Sequence, residues 1–314
     1  MESDRGRSTY ANQVRIRARR ATEELRSALG RRTTSALKSR LDSCGKSTEF
    51  KNVVSCGAVA CAKCREKYIA RQVGVLQEAF ADVDNSGLVF VTIVLELTDW
   101  VEDIGGIFQK SRRKLRNMVD KKRREARAWT AFQLVGWLEV DAFDPERFAD
   151  LPPRKKEQAE AMGLPSYQGN TPTWVVTFHG IACLGAVERQ ELARELEERW
   201  PAPGQVHVQP FHQDKPPSDN LNSLVRYSLK HEHTTATTVS GAEPWAMAWK
   251  VDFYEYLNRW SRGFQSLRIW IKPRMNETAR NNAPRAVKQY VAVEPDIMMQ
   301  SEERCWDDPL PFTF

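Results

Sequence analysis

Hydrophobic positions along the chain follow two spacings. The run LVFVTIVLEL (88–97), rich in β-branched residues and preceded by the turn signal Asp84-Asn85-Ser86-Gly87, predicts a buried strand. FQLVGWLEVDAF (132–143), TWVVTFHGIACL (173–184) and QVHVQPF (205–211) predict three more. Helical spacing lies between them. Over 106–128, Phe108, Leu115, Met118, Val119 and Ala126 share one side opposite a strongly basic face. Val187, Leu192, Leu196 and Trp200 mark the buried side of a helix over 187–200, and NLNSLVRYSLKHE predicts another over 220–232. Upstream, 10–40 reads as one basic helix and 65–81 as a second helix. Residues 144–172 read as an exposed insertion loop with one short helix, and the aromatic-rich stretch from Pro244 as a helix with an irregular end.

This order predicts an α+β fold, a mainly antiparallel central sheet covered by helices. Four units are expected: a basic N-terminal helical arm (1–43), a cysteine knuckle with its helix (44–82), the sheet-bearing core (83–235) and an aromatic-rich C-terminal helical extension (236–314). No internal repeat is visible.

Composition narrows the class. Of 314 residues 41% are hydrophobic and ten are Trp, enough apolar surface to exclude a disordered chain. No apolar run nears the roughly 20 residues of a membrane helix, and the N-terminus has no apolar stretch to serve as a signal peptide. A soluble, cytoplasmic protein without a membrane partner is expected.

The net charge of +6 conceals segregation. Residues 1–40 hold eleven Lys and Arg against four acids, and 110–127 hold ten against two. Two such runs suit a polyanion such as nucleic acid, with Lys110, Arg112, Arg113, Arg116, Lys121 and Arg124 as candidate contacts. The alternative is a pair of solvated helix faces.

Cys44, Cys56, Cys61 and Cys64 fall within 21 residues, whereas Cys183 and Cys305 stand apart. Four thiolates with a C-x2-C step predict a tetrahedral structural zinc site. A redox C-x-x-C would need a strand-to-helix context that is missing here, and unliganded cysteines are the other alternative. Three further positions carry chemistry. Tyr227 and Lys230 stand three apart on a predicted helix, His179 lies mid-strand, and Glu139 is an acid in an apolar strand that calls for a partner or a metal. Taken singly, each reads as a structural residue.

Together these elements resemble a rolling-circle replication initiator of the HUH endonuclease superfamily, the plasmid and integrative-element type with an N-terminal cysteine knuckle. The resemblance runs from about Cys44 to Lys230. The cysteine cluster matches the knuckle, FVTIVLELTD (90–99) the first strand motif, GWLEVD and TWVVTFHGIACL the two metal-holding strands, and LVRYSLKH the nucleophile helix with its Tyr-x-x-Lys. It implies that a divalent ion, Mg²⁺ or Mn²⁺, sits at Glu139 and His179. Tyr227 would attack single-stranded origin or hairpin DNA, leaving a 5′-phosphotyrosine and a free 3′-hydroxyl, with Lys230 stabilising the developing charge. A host helicase or polymerase would be a partner.

The chain departs from the family at one place: Thr177 stands where the first His of the His-hydrophobe-His pair should be. The ion would then bind through Glu139, His179 and waters, or through a further imidazole from His207 or His212; or the site is weakened and the protein mainly binds DNA. Other classes stay open: a non-catalytic DNA-binding protein on a degenerate nuclease fold, a related transposase or relaxase, and a zinc-stabilised RNA-binding module. Tyr254, Tyr256 and Tyr290 are reserve nucleophile candidates.

Overall fold

The computed structural model describes residues 2–31, 35–47, 49, 52–163, 172–229, 244–261 and 263–273. Helices α1 (Glu2–Leu29), α2 (Ala36–Ser43) and α3 (Ala62–Ala79) come first. Then follow β1 (Leu88–Thr98), α4 (Asp103–Glu125), β2 (Gln133–Phe143), α5 (Pro153–Ala161), β3 (Thr173–Cys183), α6 (Arg189–Glu197), β4 (Val206–Pro210) and α7 (Pro217–Ser228). Helix α8 (Met247–Trp260) and strand β5 (Arg268–Ile271) complete the described elements.

Two expectations need correction. The single basic helix over 10–40 is two helices. The chain leaves α1 at Gly30, and Ser35 starts α2 afresh by accepting the Lys38 N–H at 3.2 Å. The irregular end after the aromatic helix contains β5, a four-residue strand whose apolar run is too short to alternate visibly.

The five strands form one sheet in the order β4-β1-β3-β2-β5, with every neighbouring pair antiparallel. The succession from β1 to β4 is a split βαβ, ferredoxin-like arrangement. Its two right-handed crossovers place α4 and α6 on one face. The two helices touch there: Lys122 Nζ lies 2.5 Å from Glu195 Oε1, and the Lys114 ammonium donates to the Arg199 carbonyl. Helix α4 drives Phe108, Leu115, Met118 and Val119 into this layer, each burial worth roughly 1.5–3 kcal/mol.

Alternation along β1 separates the faces. Val89, Val91 and Ile93 are fully buried beneath α4, whereas Phe90, Thr92 and Val94 are half-buried on the opposite face. That second face is covered over β2, β3 and β5 by α3 and α7. Tyr68 of α3 lies against Trp137 and Arg268, and α7 packs on β2 and β3. Among the described residues no helix covers its β1–β4 half. A bulge in β1 between Val94 and Glu96 shifts the register in this half. Among the described residues no helix is long and apolar enough to cross a membrane.

Candidate active site

Three chemistry-bearing side chains from three elements meet on that second face of the sheet. Glu139 comes from β2, His179 from β3 and Tyr227 from the last turn of α7. The β2–β3 register pairs Glu139 with Thr177 and Trp137 with His179, so Glu139 and His179 point the same way one step apart diagonally. His179 Nε2 pairs with Glu139 Oε2, and the two residues are 3% and 2% exposed. The other ring nitrogen is held as well: Thr92 Oγ1 of β1 lies 3.0 Å from His179 Nδ1. Both ring nitrogens are thus engaged, one by the Glu139 carboxylate and one by the Thr92 hydroxyl, which fixes the orientation of the imidazole.

Tyr227 stands edge-on to this imidazole, with ring centroids 5.1 Å apart and an interplanar angle of 80°. Phe90 completes the cluster, stacked on His179 at 5.7 Å and edge-on to Tyr227 at 5.9 Å. The phenol is 49% exposed while the acid and imidazole form a dry floor beneath it. Of the three groups only the Tyr227 phenol reaches solvent, and the imidazole–carboxylate pair backs it from below.

The pose of α7 is set by a buried amide pair. Asn220 Nδ2 donates to Asn85 Oδ1 at 3.1 Å and to the His212 carbonyl at 2.8 Å. Asn85 Nδ2 donates to the carbonyls of His212 and Lys215 at 3.0 and 2.7 Å. The loop entering α7 is thus clamped to the start of β1, and the apolar face of Leu221 and Val225 seats the helix. Sequence reading missed Thr92, Phe90 and this amide pair. Asn85 presents only as a turn residue, and Thr92 only as part of a strand motif.

The remaining candidates divide. Lys230 follows directly on Leu229 and lies outside the described residues, as do Tyr290 and Cys305. His207 does not converge with Glu139 and His179. The register puts Thr92 between His207 and His179, and among the described residues these three form no group of ligand atoms within 4.8 Å. His212 serves the Asn85–Asn220 clamp through its carbonyl. Tyr254 and Tyr256 are buried. The Tyr256 hydroxyl donates to the Glu102 carbonyl at 3.0 Å and accepts the Gly105 N–H at 2.9 Å, and burial raises both phenols above their ordinary pKa.

The basic run on α4 occupies the opposite face of the sheet from Tyr227. Part of it is committed internally. Lys110 pairs with Glu96 at 3.0 Å, and Arg123 donates to the carbonyls of Trp129, Phe132 and Lys272. Arg112 and Arg116 are half-buried and engaged. Arg113, Lys121 and Arg124 are exposed.

The four cysteines of the knuckle do converge, their sulfurs all within 4.8 Å of one another. Sγ separations are 3.5 Å for Cys44–Cys61, 3.7 Å for Cys44–Cys64 and 3.5 Å for Cys56–Cys64. A tetrahedral zinc with Zn–S near 2.3 Å sets S···S at about 3.8 Å, so the cluster can hold a structural metal such as zinc. Local backbone makes the cradle. Gly45 and Gly57, each directly after a cysteine, have φ of 85° and 59°, a region that favours glycine. Hydrogen bonds from Cys56 and Cys61, with Ser55 and the Gly57 N–H, hold the Cys64 thiol well below its ordinary pKa. Cys56, bonded to Cys61 and Cys64, is held above it. The knuckle joins α2 to the start of α3, and Thr22 of α1 accepts the Ala62 N–H at 3.2 Å. It thereby anchors α3, a wall of the site.

Comparison of the chain with models of known protein families, with curated proteins and with solved structures gives no match.

Proposed function

We propose that this chain is a replication initiator of the HUH type, a DNA strand transferase that nicks single-stranded origin DNA through Tyr227. The observation that carries the reading is the meeting of a solvent-reaching phenol with a buried imidazole–carboxylate pair. The residues that would hold a divalent ion are Glu139 and His179, whose donor atoms adjoin. When bound there, Mg²⁺ or Mn²⁺ supplies Lewis-acid polarisation of a phosphate oxygen.

The chain's own groups do the rest. The Tyr227 Oη attacks the scissile phosphorus, an O–P bond to the phenol forms and the P–O3′ bond breaks. The phenolic proton passes to solvent, and the departing 3′ oxygen takes one up. No water is consumed, so the phosphodiester is conserved as a 5′-phosphotyrosine and the free 3′-hydroxyl can prime synthesis. Lys230, two residues past the end of α7 and outside the described residues, would offset charge developing on the phosphate. Phe90 and Tyr227 offer ring faces on which an unpaired base can stack.

The test is covalent capture. Single-stranded oligonucleotides tiled across the DNA flanking the gene, each labelled at its 5′ or 3′ end, are incubated with protein and Mg²⁺ or Mn²⁺ and run on a denaturing gel. A retarded adduct carrying only the 3′-labelled product, absent with Tyr227→Phe, is the expected result. No adduct with either ion, alongside binding unchanged by Tyr227→Phe, would replace this reading by a non-catalytic DNA-binding protein. The single imidazole of the pair, with Thr177 in the place of the first His, is the observation favouring that second reading.

A further inference from the structure

We propose that Thr177 supplies the third protein donor to the divalent ion of this site, as a neutral hydroxyl, and that this tunes the site towards magnesium. The inference rests on the reading that Glu139 and His179 hold such an ion. Thr177 stands directly opposite Glu139 in the β2–β3 register and two residues before His179 on β3. Side chains two apart on a strand share a face, and directly opposed residues have Cβ atoms about 4.5–5.5 Å apart. The three side chains therefore form a triangle on one face, with a donor at each corner.

The hydroxyl is poised for such a role. Thr177 is only 7% exposed, and no described residue hydrogen-bonds to its side chain. The register sets Thr177 directly opposite Glu139, so an ion or its bound water held by that carboxylate can meet the hydroxyl.

Donor chemistry then decides which ion. Two imidazoles and a carboxylate favour borderline metals, following the rise in affinity from Mn²⁺ towards Cu²⁺. Replacing one imidazole by a hydroxyl oxygen removes most of that advantage. A carboxylate, a hydroxyl and waters with one imidazole suit Mg²⁺, which keeps much of its hydration shell. The sign is the same whether the Thr177 oxygen meets the ion directly or through a water.

The experiment reads ion binding without DNA. Zinc-loaded protein is titrated with Mg²⁺ or Mn²⁺ by calorimetry, with free Mn²⁺ also followed by electron paramagnetic resonance. Wild type is compared with Glu139→Ala, Thr177→Val, Thr177→Ser and Thr177→His. One ion per chain, lost in Glu139→Ala, is expected in wild type. Thr177→Val should weaken Mg²⁺ about tenfold or more, and Thr177→Ser should stay within roughly threefold of wild type. Thr177→His should tighten Mn²⁺ about tenfold or more without tightening Mg²⁺. The serine and histidine variants carry the decision should Thr177→Val not fold. A Glu139-dependent ion unaffected by every change at position 177 overturns this inference and leaves the site reading standing. No Glu139-dependent ion in wild type overturns both.

Discussion

The pairing of Glu139 with His179 makes a quantitative prediction that is independent of any DNA. Both groups are buried, at 2% and 3% exposure, and the imidazole is held between the Glu139 carboxylate and the Thr92 hydroxyl. Glu139→Ala deletes one side of this arrangement and leaves Nε2 facing a dry wall. Orphaning one member of a buried pair costs about 3–5 kcal/mol, a large part of a typical total of roughly 5–15 kcal/mol. At about 2–4 °C per kcal/mol for chains of 150–250 residues, the melting temperature should fall by roughly 6–20 °C. His179→Leu orphans the carboxylate instead and should cost as much or more. The double variant Glu139→Met/His179→Leu, apolar on both sides, should be less damaged than either single change implies, because replacing a buried pair by packed apolar groups is often near neutral. Zinc-saturated protein without added divalent ion, unfolded by heat and by urea, supplies the four corners of the cycle. A coupling of about 2 kcal/mol or more is expected. Single changes shifting the melting point by less than about 2 °C, or additive to within about 0.5 kcal/mol, would refute the buried coupling and with it the rigid floor beneath Tyr227.

Two further outcomes follow from the same geometry. Removal of the knuckle metal, by a chelator or by Cys64→Ser, should release one zinc per chain to a colorimetric indicator and lower the melting temperature by about 10 °C or more, since structural zinc binding is itself folding free energy; wild-type protein that holds no zinc would count against the site. Thr92→Val removes the hydroxyl 3.0 Å from His179 Nδ1, should cost about 0.5–1.5 kcal/mol, and should move the ¹⁵N resonance of that nitrogen, with Thr92→Ser restoring it; an unmoved resonance would show that Thr92 does not orient the ring.

Much of the fold was legible in local pattern. β1 to β4 lie where the β-branched and apolar runs place them, and Glu139 announces its need for a partner because an acid in an apolar strand has nowhere else to send its charge. Which strand supplies that partner was not legible, because pairing joins residues about forty positions apart and depends on register. Asn85 shows the limit well. In a turn sequence its side chain predicts only a turn, yet here it clamps the entry to α7 from more than 120 residues away. The basic run on α4 shows what charge density leaves out: Lys114, Lys122 and Arg123 reach partners on α6 and just after it, on the loop before β2 and beyond β5. A sequence reports the sign of a side chain and not whether the fold has already paired it.

This layout constrains how a nucleic acid could use both surfaces. The exposed Arg113, Lys121 and Arg124 of α4 and the Tyr227 cluster lie on opposite faces of one sheet, so a straight duplex cannot lie along both. The β5 side of the second face is walled by α3, with Gln72 Oε1 accepting from Arg268 at 3.2 Å. Among the described residues no strand pairs with the outer edge of β4, a strand of only five residues in which His207 and Val208 are half-buried and Gln209 and Pro210 exposed. Pro210 lacks an N–H and so blunts this edge against pairing with another strand, leaving side chains to line it. A chain that touches α4 and also reaches the phenol must bend around β4. Single-stranded DNA, with its short persistence, makes that bend readily, whereas a duplex stiff over about 150 base pairs does not. On the proposed reading, the order of the strands would therefore favour an unpaired substrate at Tyr227.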